Sequence, residues 1–395
     1  MISKDIKYVG VNDYDIDLFE GQYVVPNGMA YNSYVITDFK IAVMDTVDAR
    51  FSGVWLDGLE KVLGDRGPDY LVISHMEPDH SGSVVRFMQR YQNAKIVANK
   101  QAFAMMQRFF GCQFLDRQVV VSDGDTLEIG RHVLNFVFAP MVHWPEVMMT
   151  YESTEKVLFS ADAFGKFGAV TGEESPSDWA CEARRYYTGI VAKYGVPVKN
   201  VLQKAEKLDI KTVCPLHGPV LSGDLSGYFN LYKKWANYEA EDSGVTICYA
   251  SVYGNTEKAV KLLKEKLEER GETVSIFDLA RCDMAEAIED AFRYDRLVLA
   301  SPTYCNGVFP FVSDFLTRIV ERDYKNRTVA FIENGSWAPN AAKVMKTALQ
   351  NCKNLVYAQT EVKILSALSA DSTRAIEKLA GELIALKNAD NGLIG

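Results

Sequence analysis

Paired cysteines are missing from this 395-residue chain. Its seven cysteines (Cys112, Cys181, Cys214, Cys248, Cys282, Cys305 and Cys352) are scattered, odd in number and never spaced C-x-x-C. That excludes a disulfide framework and a thiolate metal knuckle alike. No apolar run approaches the ~18–20 residues a membrane-spanning helix needs. The opening stretch MISKDIKYVGVNDYDIDLFEG lacks the apolar core and cleavage signature of a secretion leader, so a cytoplasmic protein is expected. Positive charge is in deficit: 43 Lys and Arg against 52 Asp and Glu leave a net charge of -9. Nucleic acid and anionic membrane both want a basic face, so neither is the expected partner. Internal repeats and low-complexity segments are absent. Histidine is scarce, with five in all, and scarcity makes their placement informative.

What is present is an ordinary globular composition, 48% apolar and 24% charged, in a length that suits two or three domains. The halves follow different patterns. From residue 245 onward, short apolar runs (VTICYAS, TVSIFDL, RLVLASPTY, TVAFIENGS, LVYAQTEVKIL) alternate with helix-period segments such as TEKAVKLLKEKLEERG. Near-continuous apolar strands between helices imply a parallel sheet covered on both faces. The first ~240 residues mix helices with hairpin-like pairs, TLEIGRHVLNFVFAP and MMTYESTEKVLFSAD among them, and predict mostly antiparallel sheets. A boundary is expected in the polar stretch NYEAEDSGVT, dividing the chain into 1–243 and 244–395.

One short segment concentrates the histidines. In YLVISHMEPDH an apolar strand runs into His75, Glu77, Asp79 and His80. Residues just past a strand end sit on a rigid scaffold yet face an open rim, a suitable place for metal ligands. His75, Glu77 and Asp79 alternate while His80 follows directly, a spacing that can address two adjacent metals. Three more candidates follow strands: His143 in APMVHWPEVM, Asp162 in VLFSADAFG and His217 in TVCPLHGP. His132, inside an alternating strand, has no such context and is expected to be a satisfied core or surface residue.

H-x-E-x-D-H followed by a strand-end His, an Asp and a final His resembles the metallo-β-lactamase superfamily, whose usual motif is H-x-H-x-D-H with zinc. With Glu77 in place of the second histidine, the pattern resembles the flavodiiron proteins, and the resemblance covers essentially the whole chain. It implies an α/β protein: an N-terminal metallo-β-lactamase-like αββα sandwich, then a C-terminal flavodoxin-like doubly wound parallel sheet. It also implies a ligand set: His75, Glu77 and His143 on one iron, Asp79, His80 and His217 on the other, and Asp162 bridging. Exchanging imidazole for carboxylate hardens the donor set and adds negative charge, which favours iron over zinc.

In the second half, YASVYGNTEKAV turns a strand into a helix through Ser251, Val252, Tyr253, Gly254, Asn255 and Thr256. Free N–H groups at that helix start, with side-chain donors, suit a phosphate. The pattern is neither G-x-G-x-x-G nor a Walker loop. Two later strand ends, SPTYCNGVFP and ENGSWAP, belong on the same sheet edge, where doubly wound folds bind ligands. This resembles flavodoxin, with the first loop on the FMN phosphate and the next two flanking the ring. The residues implicated are Ser301, Pro302, Thr303, Tyr304, Cys305, Asn306 and Gly307, then Asn334, Gly335, Ser336 and Trp337. Tyr304 and Trp337 are the candidates to approach the ring.

The resemblance implies an oxidoreductase that reduces dioxygen to water, or nitric oxide to nitrous oxide, at a di-iron centre fed by FMN. Tyr187 and Tyr194 are candidates to line the substrate pocket. With no C-x-x-C rubredoxin module or nicotinamide-binding reductase in the chain, electrons are expected from a separate donor, rubredoxin first and reduced deazaflavin as the alternative. A head-to-tail homodimer, or a dimer of such dimers, is implied by the resemblance. Two rivals stand beside this reading. One is a zinc hydrolase of the β-lactamase fold with a redox regulatory domain. The other is a non-catalytic electron carrier, against which the complete ligand set argues.

Overall fold

A computed structural model describes residues 2–172 and 176–390. The chain divides into two compact units, Met1–Tyr187 with Tyr194–Ala236, and Thr188–Lys193 with Asn237–Gly395.

The first unit is a sandwich of two six-stranded sheets. Strands β1 (Ile6–Tyr8), β2 (Tyr34–Thr37), β3 (Ile41–Met44), β4 (Tyr70–Val72), β5 (Lys95–Ala98) and β6 (Gln118–Val120) lie side by side in chain order. The second sheet repeats this economy with β7 (Thr126–Glu128), β8 (Val133–Phe138), β9 (Met148–Glu152), β10 (Val157–Phe159), β11 (Thr212–Cys214) and β12 (Leu221–Ser222). The expected predominance of antiparallel pairing holds, with parallel pairs among the rest. In the first sheet β3, β4, β5 and β6 run parallel, and β10 pairs parallel with β11 in the second. The physical reason lies in the crossovers. The helices Ser52–Leu63, Val84–Arg90 and Lys100–Phe110 intervene between successive strands, and a helical crossover returns the chain in the same direction. Strands β3 and β4 are buried along their whole length, so they read as unbroken apolar runs rather than as alternation. Tyr34, Ile36, Met44, Tyr70 and Val72 from one sheet meet Leu134, Phe136, Met148, Val157 and Phe159 from the other in a single apolar layer.

The second unit is built around β13 (Asp242–Tyr249), β14 (Val274–Asp278), β15 (Tyr294–Tyr304), β16 (Thr328–Asn334) and β17 (Val356–Tyr357), in the order β14-β13-β15-β16-β17 and all parallel. Alternate residues of one strand serve opposite cores, as the pleat requires. Cys248, Leu297, Leu299, Val329 and Phe331 pack on one face, and Ile247, Val298, Ala300, Ala330 and Ile332 on the other. The strand order reverses between β13 and β15, which opens a crevice past their carboxyl ends.

Candidate functional site

Strand β4 ends at Val72, and the chain leaves it under close control. Asp45 Oδ1 accepts from the Ser74 backbone N–H at 2.6 Å. Pro78, at the first position of a single helical turn, starts Pro78–Ser81 and sets Asp79 and His80 side by side. His143 arrives on the connection between β8 and β9, Asp162 just past β10, and His217 just past β11. All seven predicted residues converge.

Asp162 stands at the centre. Its Oδ2 lies 3.0 Å from His143 Nε2 and 3.3 Å from His75 Nε2, and its Oδ1 lies 3.1 Å from His80 Nε2 and 3.8 Å from His217 Nε2. Glu77 Oε2 sits 3.1 Å from both His75 and His143. On the other side, Asp79 Oδ2 is 3.4 Å from both His80 and His217, whose Nε2 atoms are 3.1 Å apart. The cluster is therefore two groups, His75–Glu77–His143 and Asp79–His80–His217, with Asp162 reaching both.

The outward nitrogens decide what faces inward. His217 Nδ1 donates to the Ala30 carbonyl at 2.8 Å, and His75 Nδ1 bonds Glu146 Oε1 at 2.8 Å. A carbonyl only accepts, so Nδ1 of His217 carries its hydrogen and Nε2 offers a lone pair to the cluster. Lone pairs and carboxylate oxygens then crowd one space, and such an arrangement requires a cation. Among the described residues both Asp79 oxygens and Asp162 Oδ1 are buried without a hydrogen bond, with Asp79 Oδ2 and Asp162 Oδ1 within 3.1–3.8 Å of the His80 and His217 nitrogens. This donor set fits two metal ions.

Without metal, protons substitute. Burial pushes Asp79 up to about 7. Burial opposes the charge on Glu77 too, but bonds from His143 and His75 outweigh it and bring it down to about 2. Burial disfavours protonated His143, yet its bonds to Asp162 and Glu77 lift it to about 9. His217, desolvated and repelled by His80, falls to about 3.

Three partners here were not anticipated: Glu146, the Ala30 carbonyl, and Tyr186, whose ring lies 5.5 Å from that of His217. Phe19 and Tyr31 complete the wall, 5.4 and 6.1 Å from the same ring. The expected Tyr187 packs on Tyr232 and Trp235 instead, at 5.3 and 5.2 Å. Tyr194 ends a short 3-10 turn, partly buried. His132 is buried beside Glu152 at 3.0 Å, with Arg131 already bonded to Asp5 and Glu155 nearby. That cation leaves no call for a metal there.

In the second unit a cavity of about 480 Å3 opens past the ends of β13, β15 and β16. It is lined by Ser251, Val252, Tyr253, Asn255, Thr256, Pro302, Thr303, Tyr304, Cys305, Asn306, Asn334, Gly335, Ser336 and Trp337, joined by Ala338 and Ser366. Gly254, at φ 84°, turns the chain into helix Asn255–Glu268, a conformation cheap only for glycine. Cys305 and Asn306 both have positive φ and form the two-residue turn between β15 and Gly307–Val308. Some predicted side chains are committed elsewhere. Ser301 is buried and accepts from Phe309 N–H, and the Thr303 hydroxyl accepts from Asn340 and Ala341 N–H. Trp337 and Tyr253, each 91% exposed, stand at the rim. Free helix-start N–H groups, hydroxyls and exposed aromatic rings fit a flavin mononucleotide.

Comparison with known proteins follows the same division. Residues 29–218 match the family model of ODP family beta lactamases and residues 246–383 that of flavodoxin domains. An uncharacterized protein of Methanocaldococcus jannaschii is 30% identical over 354 residues, 89% of each chain. A nitric oxide reductase of Moorella thermoacetica is 29% identical over 360 residues, 89% of this chain and 90% of that one. The structure of rubredoxin oxygen:oxidoreductase from Desulfovibrio gigas superposes with a TM-score of 0.90 at 26% identity, covering 98% of both chains. The chain belongs to the flavodiiron proteins. This flavodiiron protein is accordingly an oxidoreductase with FMN and a di-iron centre as cofactors. The flavodiiron protein of Giardia intestinalis shares the fold, with a TM-score of 0.89 at 24% identity. Among the described residues, no helix is long and apolar enough to cross a membrane.

Proposed function

We propose that this flavodiiron protein reduces dioxygen to water, nitric oxide to nitrous oxide, or both, at two irons held by the seven clustered side chains. His75, Glu77 and His143 would hold one iron, Asp79, His80 and His217 the other, and Asp162 both. The carrying observation is the four histidine Nε2 atoms within 3.0–3.8 Å of the two Asp162 oxygens. When bound, the irons would supply binding and reduction of a diatomic molecule, and FMN would supply electrons singly or in pairs. The chain's own residues position and shield. Glu146 and the Ala30 carbonyl orient His75 and His217, and Phe19, Tyr31 and Tyr186 wall off water on the His217 side. Burial and the surrounding carboxylates hold the Tyr186 hydroxyl well above its usual range, so it stays a hydrogen-bond donor at the wall. Backbone N–H groups at Asn255 and Thr256 would hold the FMN phosphate, with Tyr304 and Trp337 against the ring.

Relatives named rubredoxin-oxygen oxidoreductase and flavorubredoxin support a rubredoxin-type donor, with reduced deazaflavin as the competing outcome. A head-to-tail homodimer and a cytoplasmic location complete the proposal on family grounds. The test is consumption of dioxygen and of nitric oxide by the iron- and FMN-loaded protein, with each reduced donor in turn. Turnover of neither gas by a protein carrying both cofactors refutes the proposal. Zinc in place of iron, with hydrolysis, would favour the hydrolase reading instead.

A further inference from the structure

The two halves of the metal cluster differ in what stands behind them. Behind His75 is Glu146, with no exposed side-chain surface. Its Oε1 lies 2.8 Å from His75 Nδ1 and accepts from Met76 N–H at 2.9 Å, and Asn99 Nδ2 donates to its carbonyl at 2.6 Å. Behind His217 is the neutral Ala30 carbonyl, at 2.8 Å, and among the described residues nothing hydrogen-bonds the buried His80 Nδ1. Asp45, the next buried carboxylate, directs its Oδ1 to the backbone N–H groups of Ser74 and His75, at 2.6 and 3.4 Å. Carboxylates within 3.5 Å of a histidine nitrogen therefore number two on one side, Glu77 and Glu146, and one on the other, Asp79, with Asp162 shared, while Asp45 acts on His80 through its charge alone. A carboxylate bonded to the outer nitrogen of a ligating imidazole makes that imidazole a stronger donor. Stronger donation and an extra negative charge favour the higher oxidation state of the ion it meets.

We infer that Glu146 is a positioning residue that makes the two halves unequal, so that the iron on His75, Glu77 and His143 is the more stable as ferric. The first electron entering the oxidised pair then goes to the iron on Asp79, His80 and His217. This inference rests on the di-iron reading, which iron analysis of the unaltered holoprotein checks separately: without iron there, the reading itself fails.

The experiment compares full-length holoprotein with the Glu146→Gln variant. The amide keeps its shape and an oxygen that accepts from His75 and Met76, but lacks the charge. Both proteins are reduced stepwise with dithionite while the half-reduced pair is followed by electron paramagnetic resonance. The expected result is that the two reduction steps converge and the maximum half-reduced signal falls. Loss of one iron per chain, its affinity weakened ~10–100-fold, with the other retained, supports the inference equally. Two irons with unaltered spacing of the steps would overturn it. So would loss of both irons together from a variant that keeps its FMN, since Glu146 would then act on the whole cluster.

Discussion

Asp162 offers the sharpest test of the cluster, through the contrast between Asp162→Ala and His143→Ala. Asp162 faces all four histidine Nε2 atoms at 3.0–3.8 Å, whereas His143 Nε2 meets only Asp162 and Glu77, at 3.0 and 3.1 Å. Removing Asp162 withdraws a negative charge from both ions at once and leaves their mutual repulsion unscreened. With an effective dielectric near 20, a unit charge at about 4 Å is worth ~4 kcal/mol, or roughly a thousandfold in affinity for each ion. His143 is neutral when it binds, serves one ion, and can be replaced by water. The assay is ferrous loading under anaerobic conditions, passage over a chelating resin, then iron and FMN content per chain. Asp162→Ala should emerge with little iron and His143→Ala with more, both with FMN, whose cavity lies in the other unit. A metal-free His143→Ala beside an Asp162→Ala that holds both irons would refute the bridging assignment.

Other outcomes follow from the same geometry. Gly254→Val puts a β-branched residue at φ 84°, strain of about 1–3 kcal/mol, so FMN should bind ~5–150-fold more weakly while iron content stays unchanged; fluorescence titration measures this. Asn32→Ala removes buried donations to the Pro215 and Gly218 carbonyls, both 2.8 Å; the Pro215 carbonyl keeps the Tyr34 hydroxyl at 2.7 Å, so the cost is about 1–3 kcal/mol for the orphaned Gly218 carbonyl. It should lower the unfolding midpoint of the first unit and loosen metal at His217. Iron uptake by the metal-free protein should strengthen from pH 6 to 9, since Asp79 at about 7 and His143 at about 9 must shed protons to bind. Metal-free stability runs the other way. Folded His143 titrates above its unfolded value, so its contribution is complete below about 6.5 and is lost as pH rises through about 9. Lastly, co-expressing a flavin-dead chain (Asn255 and Thr256 enlarged) with an iron-dead one (His80→Ala, Asp162→Ala) tests the head-to-tail dimer. Random pairing should restore roughly a quarter of normal turnover, and no recovery from demonstrably mixed dimers would exclude transfer between subunits.

Local pattern carried much of this protein. The alternation of apolar strand and amphipathic helix after residue 245 specifies a parallel doubly wound sheet, because each strand must be covered on both faces. Side-chain types and strand-end positions for His75, Glu77, Asp79, His80, His143, Asp162 and His217 were legible because each is set by its own strand and turn. The loops that line the cavity were legible for the same reason. What stayed hidden depends on contacts distant in the chain or on rotational phase. Glu146 reaches His75 across 71 positions, and Ala30 reaches His217 across 187. Of two adjacent tyrosines, Tyr186 and not Tyr187 faces His217, because neighbours on a helix point roughly 100° apart, and the α-helix that sets this phase gives way to a π-helical turn at Tyr187. A change of helical pitch rotates every later side chain, and no residue type announces it. Thr188–Lys193 belongs with the second unit for a similar reason. Arg322 bonds the carbonyls of Thr188 and Gly189 at 2.9 and 3.0 Å, and the Tyr238 hydroxyl donates to the Ala192 carbonyl at 2.6 Å. Ser301 and Thr303 were placed in a flavin loop by its position at the sheet edge, yet folding directs both hydroxyls to backbone N–H groups. Sequence determines which groups can do chemistry; tertiary structure decides which of them are left free to do it, because buried polar groups must first satisfy one another.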